Sequence, residues 1–267
     1  MTTSPTAHLA ALSAAGLQRL QSFLNDGSCL LAFDFDGTLA PIVAHPESAR
    51  TPLPVIRAME PLLRTHEVAV LSGRSVEDLM TRLGFEAHHL IGNHGAEDPA
   101  CPLSLQRAPA YRARLDGIRA AVASTWSAAL VAQGVRMEDR GLSLGFHYRL
   151  SRQRDAARRL IAELLAAEGQ GIRAFDGKLV INVVSVDAPD KVQALQSLMT
   201  RRGLTRVLYA GDDASDEQVF RQHQDPDWFT LRVGGDARLS AATFHLNATS
   251  DMPMFLAACQ RRCSRLQ

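Results

Sequence analysis

The sequence predicts an α/β fold, a mostly parallel sheet interrupted by a smaller α+β module. Three observations carry this. Short apolar runs recur at Leu30-Leu31-Ala32-Phe33, Val68-Ala69-Val70-Leu71 and Val207-Leu208-Tyr209-Ala210, each closed by a small or acidic residue. Such runs have the form of strands buried on both faces of a parallel sheet. Helical apolar spacing lies between them, as in Val55, Met59, Leu62 and Leu63. The middle third has another order: helix, two strands, helix, two strands. That order marks a module inserted between the halves of a larger domain.

The chain has 267 residues, 46% of them apolar, enough for one large domain or two modest ones with a sizeable core. Its net charge of +1 gives no global attraction to nucleic acid or a membrane surface. No apolar run approaches the eighteen or so residues of a membrane span. The first residues lack a basic start and a continuous apolar stretch, so they make a poor signal peptide. Leu17, Leu20 and Leu24 instead mark a short amphipathic helix. The four cysteines, Cys29, Cys101, Cys259 and Cys263, match no zinc spacing. They are expected as reduced thiols of a cytoplasmic protein, with Cys259 and Cys263 on one face of a C-terminal helix.

Taken in order, the first apolar run lies between Gly27 and Gly37 and ends in Asp34 and Asp36. Side chains two apart in a strand share a face. Ligands of open α/β sheets sit beyond the carboxyl ends of the strands. Two acids there repel unless a proton or cation intervenes. The economical answer is a hard cation with oxygen ligands, Mg²⁺. One carboxylate could then attack phosphorus, and a second could protonate the departing oxygen and later deprotonate water. The bland alternative is a solvated Asp-Gly turn.

Prolines at 41, 46, 52 and 54 mark a loop, and a helix follows from Pro54. The second run ends in Ser72-Gly73-Arg74, with Ser75 and Asp78 as a helix-start signal. A hydroxyl between a strand and a helix N-terminus suits a phosphate oxygen. His88-His89-Leu90-Ile91-Gly92-Asn93-His94-Gly95-Ala96-Glu97 invites a zinc reading, but the spacing is wrong for a helical pair of histidines. Substrate or loop-shaping roles are expected for Asn93, His94 and Glu97.

Prolines at 99, 102 and 109 mark a connector out of the first domain. Beyond it the spacing predicts a helix near 111–131, strands at 135–138 and 142–149, a helix near 152–168, and strands at 172–175 and 179–184. Asp176-Gly177 is a hairpin signal between the last two. Residues 101–170 hold 11 Arg, no Lys and 6 acids, a basic surface that would concentrate an anionic substrate. A second connector, Asp187-Ala188-Pro189-Asp190, leads to a helix from Lys191. The third run ends in Gly211-Asp212-Asp213-Ala214-Ser215-Asp216-Glu217, a second acidic strand end that again calls for a cation. A strand at 228–233 and a tail helix over 252–266 complete the reading. Neither GxxxxGK[ST] nor GxGxxG occurs, which argues against a nucleotide-binding enzyme.

DFDGT after an apolar strand resembles the first motif of the haloacid dehalogenase-like hydrolases, a superfamily rich in Mg²⁺ phosphatases. DFDGTLAPI, LSGR, GNHGAE, MEDRGLSLGFHYR and GDDASDE stand in an order similar to that of the trehalose-6-phosphate phosphatase family. The resemblance implies a Rossmann-like core at 1–106 and 187–267 and an inserted α+β cap at 107–186. It implies Mg²⁺-dependent hydrolysis of trehalose 6-phosphate, a step of trehalose biosynthesis, and the expectation is a cytoplasmic monomer. It makes Asp34 the nucleophile and Asp36 the general acid and base, with Ser72 and Lys191 on the phosphoryl group and Arg74 in support. Mg²⁺ would be held by Asp34, Asp212 and the carbonyl of Asp36, with Asp213 close by. Glu138 and Arg140 fall where the family's cap carries an acid and a lysine for sugar hydroxyls. Two departures concern the sugar: Arg140 stands for that lysine, and Asn182 stands for a glutamate. They leave open another sugar or glycosyl phosphate as substrate, or a sensor that binds without turnover.

Overall fold

The acid-tipped strands lie side by side at the middle of a seven-stranded sheet. The computed structural model describes residues 9–25, 28–43 and 45–260. Its described residues form two compact units. The first comprises residues up to Ser72, Glu77–Leu90 and residues from Lys191 on; the second comprises Gly73–Val76 and Ile91–Asp190.

The sheet contains β1 (Leu9–Ala10), β2 (Cys29–Phe33), β3 (Glu67–Leu71), β4 (His89–Ile91), β9 (Arg206–Gly211), β10 (Trp228–Val233) and β11 (Phe244–Leu246). Their order is β1-β11-β10-β9-β2-β3-β4. β2 pairs in parallel with β3 on one side and β9 on the other, Leu31 lying opposite Val68 and Leu208. All five residues of β2 and all six of β9 are buried, which explains their unbroken apolar runs.

Alternation along the strands sorts the two faces. Leu31, Phe33, Val68, Val70, Leu208 and Ala210 join one apolar cluster with residues of the first unit's helices. These are α1 (Ala14–Asn25), α2 (Leu53–Leu63), α3 (Val76–Leu83) and α9 (Met252–Cys259), which supply Leu20, Met59, Leu79 and Phe255. The opposite parity holds Tyr209, whose ring meets Phe220 edge-on. Phe220 ends α8 (Glu217–Phe220), and α7 (Lys191–Arg202) buries Leu195 and Leu198. The tail helix expected to residue 266 is described to Cys259; Cys263 lies outside the described residues. β1 and β11, which extend the sheet edge, were not expected. With two and three residues they show no periodicity to read.

The second unit folds as expected, helix, two strands, helix, two strands. α4 (Pro102–Ala121) continues through a π-helical stretch, Val122–Trp126, into α5 (Ser127–Ala132). Then come β5 (Arg136–Asp139), β6 (Ser143–His147), α6 (Arg154–Glu168), β7 (Ile172–Gly177) and β8 (Val180–Ser185). The strands form an antiparallel sheet in the order β5-β6-β8-β7. One face is apolar: Leu144, Phe146 and Val183 pack with Leu115, Ile118, Ile161 and Leu164 of the helices.

Two expectations need correction here. The proline-rich connector ends earlier than expected, because Pro102 takes a first-turn position of α4, where its missing N–H costs nothing. Pro109 then lies inside that helix. The hairpin turns at Lys178 and Leu179, not at Asp176-Gly177, which still pair with Ile181 and Val180. Leu179 takes the left-handed conformation, φ 62°, that the sequence signal would have given to glycine. No helix among the described residues is long and apolar enough to cross a membrane.

Candidate active site

β2 stops at Phe33, so Asp34 is the first residue past the strand. Its N–H donates to the Ala210 carbonyl of β9 (2.8 Å), extending the sheet by one bond. Phe35 then turns, and its carbonyl accepts from the N–H groups of Leu39 (3.0 Å) and Ala40 (2.9 Å). The expected placing of Asp34 and Asp36 by strand alternation is therefore corrected: a turn, not a strand, spaces them. Asp34 is buried and Asp36 half-buried.

Two glycines make room for the second acidic strand end. Gly37, at φ +90°, faces Asp212, and a Cβ there would lie 1.9 Å from Asp212 Oδ2. At Gly211 a Cβ would lie 2.3 Å from Asp216 Cγ. Real Cβ atoms cannot come so close, so both positions require glycine for carboxylates to enter.

Oxygens of Asp34, Asp212 and Asp216 lie within 4.8 Å of one another, all three residues buried. Lys191, at the start of α7, sends its Nζ to Asp34 Oδ1 and Asp216 Oδ1, each at 2.7 Å. The two acids are not equivalent. Asp216 Oδ1 also accepts from the Tyr209 hydroxyl (2.6 Å), and Oδ2 accepts from the N–H groups of Asp212 (2.9 Å) and Asp213 (3.0 Å). With four donors, Asp216 has its acceptor capacity engaged and fixes the loop. Asp34 and Asp212 are the better cation ligands. Asp213 holds the turn through the N–H (2.8 Å) and hydroxyl (2.7 Å) of Ser215.

The electrostatics agree with that division. Burial pushes the Asp34 carboxyl well above the carboxylate range; Lys191 opposes this, and Asp216, Asp212 and Asp213 push it further up. Burial works against the Lys191 ammonium, yet Asp216 and Asp34 hold it well above its ordinary value. At Asp213 burial is outweighed by Lys191 and Ser215, and the carboxyl is lowered. One ammonium thus faces an excess of buried carboxylates. An oxygen-only set of this kind fits a hard divalent cation.

Ser72, buried, directly follows β3, and Arg74 is also buried. In the second unit, the GNHGAE loop holds Asn93 (φ 50°) and His94 (φ 60°) in the left-handed region, a strained backbone that surrounding contacts must hold. Asn93 supplies many of them. Its N–H donates to the Arg74 carbonyl (2.7 Å), its Nδ2 to Glu97 Oε2 (2.7 Å), and its Oδ1 accepts from the Ser143 hydroxyl (2.6 Å). Glu97 Oε2 also accepts from the Val76 N–H (2.9 Å). Of the two expected roles for Asn93 and Glu97, these bonds favour loop shaping. His94 meets Phe175 edge-on at 4.9 Å.

The second face of the antiparallel sheet is mixed, with polar side chains beside Phe175 and Val184. Glu138, Gly145, Asn182 and Phe175 lie opposite one another on successive strands, so they share that face. Glu138 Oε2 accepts from Arg140 Nη2 (2.6 Å) and His147 Nε2 (2.7 Å). Burial works against the Glu138 carboxylate, yet His147 and Arg140 hold its carboxyl well below the usual range. Arg140 Nη1 donates to the Gly73 carbonyl (3.1 Å) and lies 3.4 Å from Asn182 Oδ1.

Sequence reasoning did not single out Asp216, Tyr209, Ser143 or His147. Asp216 and His147 stood in quoted motifs, and a third acid four residues past Asp212 was the available signal. Ser143 shared His147's motif without a signal of its own, and nothing in the sequence marked Tyr209 apart from core residues.

A parallel sheet with two neighbouring acid-tipped strands, an inserted α+β unit and a buried lysine defines the haloacid dehalogenase-like phosphatase fold, which solved neighbours share. The trehalose-phosphatase family profile matches residues 32–243, and the chain belongs to that family. It is 31% identical to the trehalose-phosphate phosphatase of Mycobacterium marinum, over 84% of this chain and 59% of that protein. It is 32% identical to an uncharacterized glycosyl hydrolase of Mycobacterium tuberculosis, over 84% of this chain and 18% of that protein. The chain therefore spans less than two thirds of these curated relatives. The solved C-terminal domain of Candida albicans trehalose-6-phosphate phosphatase has a TM-score of 0.72 at 20% identity, covering 96% of this chain and 99% of that domain.

Proposed function

We propose that this chain hydrolyses trehalose 6-phosphate to trehalose and phosphate, with Mg²⁺ as cofactor and an aspartyl phosphate on Asp34 as intermediate. The observation that carries this is the buried cluster of carboxylates at Asp34, Asp212 and Asp216, with Lys191 bonded to Asp34 and Asp216. Asp34, Asp212 and the carbonyl of Asp36 would hold Mg²⁺, with Asp213 close by. Bound there, the ion supplies positive charge against the phosphoryl oxygens.

In this scheme an Asp34 carboxylate oxygen forms a bond to phosphorus as the bond to the sugar oxygen breaks. Asp36 gives its proton to that leaving oxygen, then takes one from the water that opens the aspartyl phosphate. Lys191 and Ser72 offset charge on the phosphoryl group, with Arg74 in support. Glu138, Arg140, Asn182 and His94 recognise the sugar, and Asn93 and Glu97 hold the loop that carries His94. Residues 1–106 and 187–267 act as catalytic core, and 107–186 as cap, in a cytoplasmic monomer.

Phosphate release across a panel of sugar phosphates tests this. Preference for trehalose 6-phosphate is expected; equal or absent turnover across the panel would defeat the substrate claim. Asn182 and Arg140 support a second reading, another sugar or glycosyl phosphate, because together they lack the charge pattern of a glutamate and a lysine. On that reading Asn182→Glu shifts preference toward trehalose 6-phosphate on the same panel.

A further inference from the structure

We propose that Arg140 is a positioning residue for the Ser72 loop, a role separate from any contact with sugar. The inference rests on the phosphatase reading above and deepens it. Its basis is where the guanidinium spends its donors. Nη2 is held by Glu138 at 2.6 Å, and Nη1 donates to the main-chain carbonyl of Gly73 at 3.1 Å. Gly73 is bonded covalently to Ser72. These bonds use only part of its five N–H donors, and one of them holds the backbone immediately past the phosphate-site serine.

The same segment is held at two further points. The Arg74 carbonyl accepts from the Asn93 N–H at 2.7 Å, and the Val76 N–H donates to Glu97 Oε2 at 2.9 Å. Gly73, Arg74 and Val76 are thus each tied to groups carried by the second unit, and all belong to that unit. Asn93 is in turn fixed by Ser143, which begins the strand after Arg140. Arg140 has a prepared seat: a Cβ at Gly145 would come within 3.2 Å of its Nη2. A planar fork can serve Glu138 and Gly73 together, while an ammonium acts from one point. Arginine at this position therefore suits the second contact.

The two roles separate on a substrate that has no sugar. A residue that only binds sugar hydroxyls contributes nothing to hydrolysis of p-nitrophenyl phosphate. A residue that positions Ser72 contributes to both reactions, since small misplacements near a reacting group cost up to about 100-fold in rate. Arg140→Met is expected to lower kcat for p-nitrophenyl phosphate by roughly tenfold or more, with melting temperature near that of the wild type. Arg140→Lys is expected to recover only part of the loss. Guanidinium added at millimolar concentration should raise the kcat of Arg140→Ala toward the wild-type rate. Wild-type turnover of p-nitrophenyl phosphate with undiminished rates in both Arg140→Met and Arg140→Lys would overturn this inference alone. A wild-type protein that releases phosphate from no monoester would overturn the phosphatase reading with it.

Discussion

Asp216→Asn changes one atom in a carboxylate that accepts four hydrogen bonds. Oδ1 faces Lys191 Nζ and the Tyr209 hydroxyl; Oδ2 faces the N–H groups of Asp212 and Asp213. An asparagine keeps one acceptor and turns the other into a donor. If its NH₂ meets the two backbone N–H groups, both lose their acceptor. If it meets Lys191 and Tyr209 instead, the lysine keeps Asp34 as its one remaining carboxylate. In the first case two buried bonds are lost; in the second the Tyr209 hydroxyl can turn to accept from the NH₂, and the charged lysine donor is left facing it, at about 1–3 kcal/mol or more for each donor left unsatisfied. The expected loss of stability is about 2–6 kcal/mol, read from urea unfolding. The kcat for phosphate release should fall by about 100-fold or more, because Asp212 and Lys191 shift together. The stability deficit should persist in chelator, since Asp216 serves the protein's own donors. A variant within about 1 kcal/mol of wild type in chelator, with metal affinity alone reduced, would refute the reasoning and make Asp216 a metal ligand.

Three other outcomes follow from the same geometry. Asp34→Asn should abolish turnover yet stay folded, because burial already disfavours that charge; near-normal phosphate release would remove the nucleophile assignment. Gly37→Ala should cost about 1–3 kcal/mol, as in an overpacked core, and weaken metal binding, because its Cβ would displace Asp212; a stable variant with unchanged affinity would contradict the close approach. Hydrogen bonds from Arg202, then His89, overcome partial burial and pull the Glu67 carboxyl down from 4.5 to about 2. A lowered folded-state value gives stability that is present above pH 4.5 and fades as pH falls toward 2. The pair is partly exposed, so its worth is about 1 kcal/mol or less. Glu67→Gln should flatten the stability curve across that window, and an unchanged slope would refute the linkage.

The fold was legible where sequence signals were long or doubly encoded. β2, β3 and β9 each show an apolar run of four or more residues ended by a turn or acid. In the second unit Leu144 and Phe146 of β6, and Ile181 and Val183 of β8, are apolar at every second residue, since that face packs on helices. β1 and β11 were not legible, because two or three residues have no period. Pro102 and Pro109 read as loop residues, but a proline in the first turn starts a helix, and α4 is long enough to carry the second. In the site, Asp34 and Asp212 stood out because acids at the ends of buried strands are rare in a core, and Lys191 stood out through the family resemblance. Ser143 and Tyr209 looked like ordinary strand residues. Their partners, Asn93 and Asp216, lie 50 and 7 positions away, and only the folded chain brings each pair together.

Phosphate release from trehalose 6-phosphate, followed as free magnesium is raised from chelated to saturating, tests the central claim most directly. Activity near zero in chelator, rising with magnesium to a plateau that Asp34→Asn never approaches, is the expected result. A full rate in chelator would contradict the account.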